Sequence, residues 1–183
     1  VNVKDSYACD GSNIDATGGT NADGGGNSCW DFVAAQNASI VSAADQVFAI
    51  GQVATDISQI TVTAGAGAGV GLISAANDLR IGIATSSASS PVDMRWDTSV
   101  TTPTFGGTAS GKVSGTVSYE GNGSVMKIDV TPSDLTAGDT LTISAAKFQS
   151  FNSAVAYSPG IRIYIGGVSD QTADATDTVK SIA

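Results

Sequence analysis

Residues 115–130 read GTVSYEGNGSVMKIDV, and the fold class is decided in them. Val117 and Tyr119 flank Ser118, and Met126, Ile128 and Val130 alternate with Lys127 and Asp129. A period of two places the apolar residues on one face of each strand. Between the two runs, Asn122-Gly123 is the strongest short-range signal for a tight hairpin, because both residues tolerate positive φ.

The same alternation continues on both sides. Leu79, Ile81 and Ile83 alternate with Arg80 and Gly82, and Met94 and Trp96 flank Arg95. Leu141 and Ile143 flank Thr142, while Ile161, Ile163 and Ile165 alternate with Arg162 and Tyr164. Each of these strands is expected to have one wet face and one dry face. QVFAIG from Gln46, ISQITVTA from Ile57 and the closing TVKSIA supply further runs, for about eight to ten strands in all. Long helical periodicity is absent after residue 50, which argues against crossover helices and a parallel sheet. The remaining solution is all-β: two antiparallel sheets packed face to face. AGAGAGVG at 64–71 has no core-sized side chain before Val70 and reads as a loop.

Residues 1–37 differ from the rest. DGSNIDATGGTNADGGGNSC favours turns over packed elements. Cys9 and Cys29 both lie in this stretch, and a disulfide is the economical reading, closing a loop of about twenty residues and stabilising by roughly 3 kcal/mol. A disulfide implies an oxidising compartment. Two thiols so far apart, in a chain without histidine, make a poor zinc site. Trp30, Val33 and Ala34 share the face of a short helix, with Ser28 able to cap it; the competing reading is an irregular apolar patch of Trp30, Phe32 and Val33.

The whole chain has 183 residues, enough for one main core plus an extension. Charged residues make up 14%, low for a soluble domain, and the net charge of -9 would repel nucleic acid and anionic membranes. The acidic excess fits either cation binding or simple solubility. No apolar run approaches the roughly eighteen residues needed to span a bilayer. A start at Val1 without methionine fits a mature secreted chain.

QVFAIGQVATDISQITVTA, ANDLRIGI, the run from Arg95 to Phe151 and VSDQTADATDTV together resemble an uncharacterised immunoglobulin-like module of secreted bacterial surface proteins. The resemblance covers about residues 38–183 and implies an immunoglobulin-like β-sandwich at the cell surface or outside the cell. Two features depart from that module: a single copy carries its own cysteine-bearing extension, and ATSSASSPVD at 84–93 looks like an insertion. Self-assembly would give the extension a purpose, with Val1, Asn2 and Val3 as a strand added to the open edge of the next copy.

Chemistry is limited by the missing histidine. Ser-His-Asp and Cys-His sites are excluded, as is any general base that titrates near neutrality without perturbation. GAGAGVG lacks the lysine and hydroxyl of a phosphate-binding loop. Calcium is the better candidate, with Asp170, Asp174 and Asp177 in one short loop and Asp10, Asp15 and Asp23 in the extension. Neither group has EF-hand spacing, and solvated acidic turns are the competing reading. Asn37-Ala38-Ser39 and Asn122-Gly123-Ser124 are glycosylation sequons. Trp96, Tyr119 and Tyr164 could form a sugar-stacking platform, although each also fits a packed strand position.

These readings point to a non-enzymatic structural subunit of an extracellular filament, tube or surface layer whose partner is itself. The alternative is a monomeric adhesion module that recognises surface glycans or proteins through its loops.

Overall fold

A computed structural model describes residues 37–65, 72–83, 94–152, 160–167, 173–177 and 180–183, together with the backbone of 2–3, 14–15, 22–23, 30–31 and 155–157. The chain divides into two units, Val1–Ala35 and Gln36–Ala183. In the first, β1 (Asn2–Val3) pairs in parallel with β3 (Ala22–Asp23), and β2 (Ile14–Asp15) with β4 (Trp30–Asp31). Trp30 therefore starts a short strand, where the sequence reading weighed a helix against an irregular patch. Val1, Cys9, Asp10 and Cys29 lie outside the described residues, as do 66–71, the greater part of the AGAGAGVG run, and 84–93, the insertion.

The second unit is an all-β sandwich whose sheets are mostly antiparallel. Its strands are β5 (Ser39–Ser42), β6 (Gln46–Phe48), β7 (Thr55–Asp56), β8 (Ile60–Thr63), β9 (Leu79–Ile83), β10 (Arg95–Trp96), β11 (Thr104–Gly106), β12 (Val113–Glu120), β13 (Val125–Val130), β14 (Thr140–Ser144), β15 (Lys147–Gln149), β16 (Val155–Tyr157), β17 (Ile161–Tyr164), β18 (Ala175–Thr176) and β19 (Lys180–Ile182). One layer has the order β12-β13-β9-β17-β18, the other β11-β14-β8-β5. Two three-stranded sheets, β10-β15-β7 and β16-β19-β6, complete the unit. The strands are shorter and more numerous than the sequence suggests because bends divide them. Between β14 and β15, for instance, Ala145 sits at φ 57.

The hairpin forms as the sequence indicates. Glu120 pairs with Val125, and the turn between them carries Gly121, Asn122 and Gly123 at φ 56, 55 and 86. Three consecutive left-handed residues explain the two glycines and the asparagine.

Alternation sets the core. Val117, Met126, Ile128, Leu79, Ile81, Ile161 and Ile163 from one layer meet Ile60, Val62, Leu141 and Ile143 from the other, all buried. At one end Phe48 stacks on Phe151 with centroids 4.6 Å apart, and Trp96 meets Phe148 edge-on at 4.7 Å. The Trp96 Nε1–H donates to Ile81 O at 3.0 Å, so the buried indole loses no hydrogen bond and ties β10 to β9.

Two expectations need correction. The five residues of β9 are all buried, not alternate ones. Tyr164 lies so close over Gly82 that a Cβ there would meet its ring at 2.9 Å, and Arg80 pairs with Glu120 at 3.0 Å. Central position in the five-stranded layer thus covers both faces. The second concerns pairing: β19 runs parallel to β6, with Lys180, Ser181 and Ile182 opposite Gln46, Val47 and Phe48. Parallel neighbours need a long crossover, and here nearly the whole domain is that crossover, so no helix is required.

Gly107 is the sharpest backbone requirement. It sits at φ 84, and a Cβ would fall 2.3 Å from Thr140 O, a backbone atom that cannot swing away. Gly107→Ala is expected to cost about 2 kcal/mol or more, as left-handed strain adds to the clash. Urea denaturation should show a lowered midpoint at unchanged slope.

Candidate functional surface

A backbone N–H at a sheet rim needs an acceptor, and an exposed rim invites another strand. Side chains close several rims here. The Ser42 N–H of β5 donates to Asp177 Oδ2 at 2.5 Å, bridging the first strand of the sandwich to the segment after β18. Gln46 on β6 accepts the Ser58 N–H at 2.8 Å, and Gln52 accepts the Ala49 N–H at 2.7 Å. Along β12 the Val117 N–H donates to Thr101 O at 2.9 Å, and the Tyr119 hydroxyl donates to Val100 O. That strand is interrupted by a register shift between Val113 and Val117.

Two of the expected calcium ligands occupy such positions. Asp174 Oδ2 accepts the Ile165 N–H at 2.8 Å, and Asp177 is the acceptor for Ser42. Asp170 lies outside the described residues, as does Asp10, and for Asp15 and Asp23 the described part is the backbone of β2 and β3. Among the described residues no group of three or more acids is placed to hold a metal. Beside Asp177 stands a residue the sequence reading passed over, Lys180, 1% exposed, its Nζ donating to Ala44 O at 2.8 Å. Burial lowers the pKa of this ammonium, while Asp177 and Asp45 act to raise it. Nothing in a lone lysine of a short strand marks it as buried; its hydrogen-bond partner, Ala44, lies 136 residues away in sequence.

The aromatic residues weighed as a sugar platform are packed inside. Trp96 and Tyr164 are buried, and Tyr119 is partly buried with its hydroxyl engaged. Burial, followed by the charge of Asp97, pushes the Tyr119 phenol up to about 12. Asn37 and Asn122 are both exposed, Asn122 at the tip of the hairpin.

One surface remains to explain. The exposed large apolar side chains among the described residues are Val41, Val47, Ile50 and Val53, at 55%, 70%, 55% and 79% exposure. All four fall on β5, β6 and the turn after β6. Scattered apolar residues on a surface are ordinary, but these four are confined to one stretch of thirteen residues. Periodicity hid this signal, because Val41 and Val47 alternate with buried Ile40 and Phe48 like any strand residue.

No family model matches the chain, and no curated protein matches it. Among solved structures it is similar to a non-cellulosomal cohesin from the hyperthermophilic archaeon Archaeoglobus fulgidus, at 13% identity and a TM-score of 0.36, over 80% of this chain and 91% of that one.

Asp139 shows how heavily the fold leans on a single carboxylate. It accepts Lys112 Nζ at 2.7 Å, the Thr136 N–H at 2.8 Å, the Thr136 hydroxyl at 2.7 Å and the Thr108 hydroxyl at 3.2 Å. Lys112 first, then Thr136, hold its pKa well below the usual carboxylate range. A depressed folded-state pKa contributes stability that is present above the unfolded value near 4 and is lost as pH falls below it. Asp139→Asn should therefore lower the melting temperature at pH 7, and the gap to wild type should shrink steadily below about pH 4. A gap independent of pH would show that the charge contributes nothing.

Proposed function

We propose that this chain is a non-enzymatic structural subunit of an extracellular filament, tube or surface layer, and that copies of it join through the outer strands of the sandwich. The observation that carries the reading is the confinement of exposed Val41, Val47, Ile50 and Val53 to the first two sandwich strands and their turn. Apolar area of this kind is stabilised by being covered. The missing histidine and the sparse charge, 14% of residues, support a role that rests on surfaces rather than on a reacting group. Strand addition by Val1, Asn2 and Val3 is one way to build the joint. Asn2–Val3 already has strand geometry against Ala22–Asp23 of its own chain, and the same backbone could exchange that neighbour for one in the next copy.

A second reading uses the same valines to dock a different protein. The packed positions of Trp96 and Tyr164 favour a protein over a glycan as that partner.

Negative-stain microscopy of purified protein, with and without a calcium chelator, separates these readings. Polymers are expected for the wild type. Replacing Val47 and Val53 by aspartate should raise the concentration needed for polymerisation about tenfold or more, the factor that a loss of about 1.4 kcal/mol produces. Deleting residues 1–8 should abolish polymers if the joint is a donated strand. Uniform monomers under all conditions would sink the subunit reading and leave the docking one.

A further inference from the structure

Cross-strand neighbours form one row over the outer face of the five-stranded layer: Glu120 on β12, Val125 on β13, Gly82 on β9, Arg162 on β17 and Thr176 on β18. Ile161 and Ile163 of β17 are core residues, so Arg162 and Tyr164 belong to its outer face. The Tyr164 ring lies over Gly82, with its hydroxyl 3.7 Å from the place a Cβ would take. Guanidinium and phenol thus flank the same glycine.

Other cations of this face are matched. Arg80 pairs with Glu120 at 3.0 Å, and Lys127 with Asp78 at 2.9 Å. Arg162 differs: its side chain has no hydrogen bond or ion pair among the described residues, and its Nε is buried without an acceptor. Its two neighbours in the row, Gly82 and Thr176, carry no charge. A guanidinium cannot shed its proton, and a desolvated one gains more from an acceptor than one in open water does. Only Nε is sealed, so the two terminal amino groups stay open to solvent as an end-on fork.

We propose that Arg162, with the Tyr164 hydroxyl, is a subsite for a single carboxylate, the Asp or Glu side chain of a second copy of this chain. Charge selects the class. One unmatched cation balances a monoanion, whereas a dianion such as phosphate would bring an unpaired charge to a chain that already carries -9. A planar carboxylate also matches the two amino groups of the fork. With 17 acidic residues against 8 basic ones, every copy has carboxylates without a cation of their own. Copies of like charge repel in general, so an open cation marks where an acid of the neighbour is accepted; it sets register more than affinity. The inference deepens the reading of the chain as a self-assembling subunit and rests on it.

Two measurements on the full chain test it separately. In the first, nitrogen-15 NMR is recorded at a dilution where the chain is monomeric, and sodium acetate is titrated against sodium chloride at equal ionic strength. Acetate should move the Arg162 side-chain N–H resonances saturably, and chloride should not. Equal responses, or none, would overturn the subsite, and tighter binding of inorganic phosphate than of acetate would overturn its assignment to a carboxylate. The second measurement is the threshold concentration for polymers, read by light scattering. Saturating acetate should raise it about tenfold over chloride, and Arg162→Gln in chloride by a similar factor, with Tyr164→Phe raising it about threefold. The acetate comparison needs no substitution. Polymers whose threshold ignores both acetate and Arg162→Gln would overturn the second copy as the donor and leave assembly standing. Acetate binding at Arg162 in a chain that never polymerises would sink assembly, and the second copy with it, and leave the subsite.

Discussion

A sheet rim must satisfy its outward N–H groups without inviting a stray strand, and this sandwich meets that constraint with carboxylates and amides. Asp177 serves Ser42 on the edge strand β5, while Asp174 serves Ile165, Asp78 serves Val130 and Asp134 serves Ala75 at strand ends and a turn. Gln46 and Gln52 hold the N–H groups of Ser58 and Ala49 in the connecting segments at the start of the domain. Most monomeric β-proteins blunt their rims with lysine or proline, which are scarce here. The acidic excess of the composition is therefore partly architectural. These acids hold backbone, and their negative charge need not imply a cationic ligand.

Closing the rims internally changes where a partner can act. Ser42 on β5 and Val117 on β12 have their backbone N–H groups engaged within the chain, and the first strands also carry side-chain surface, the four exposed valine and isoleucine residues. The parallel pairing of β19 with β6 joins the end of the domain to its beginning, so the exposed residues and this pairing occupy neighbouring stretches of sequence.

Period-two alternation made the layers legible. Leu79, Ile81, Met126, Ile128, Ile161 and Ile163 were each readable as inward-facing, and all are buried. Asn122-Gly123 was readable because the turn it makes is local. What could not be read depends on distant partners. Arg80 and Gly82 look like outward positions until Glu120 and Tyr164 are brought over them. Asp174 and Asp177 look like loop acids because Ile165 and Ser42, whose N–H groups they accept, are not marked in the sequence. The parallel partner of β6 was hidden for the same reason, being a three-residue strand at the other end of the domain.

The place of β19 also sets the order in which the domain can be completed. It lies between β16 and β6 in the middle of its sheet, and it brings the buried Lys180 and Ile182. During synthesis the earlier strands emerge first, yet the gap between β16 and β6 stays open until residues 180–183 have left the ribosome. Contacts spanning 135 and 136 residues then close last and at the greatest loop entropy. The nascent chain must wait with part of its core uncovered until residues 180–183 are free to pair.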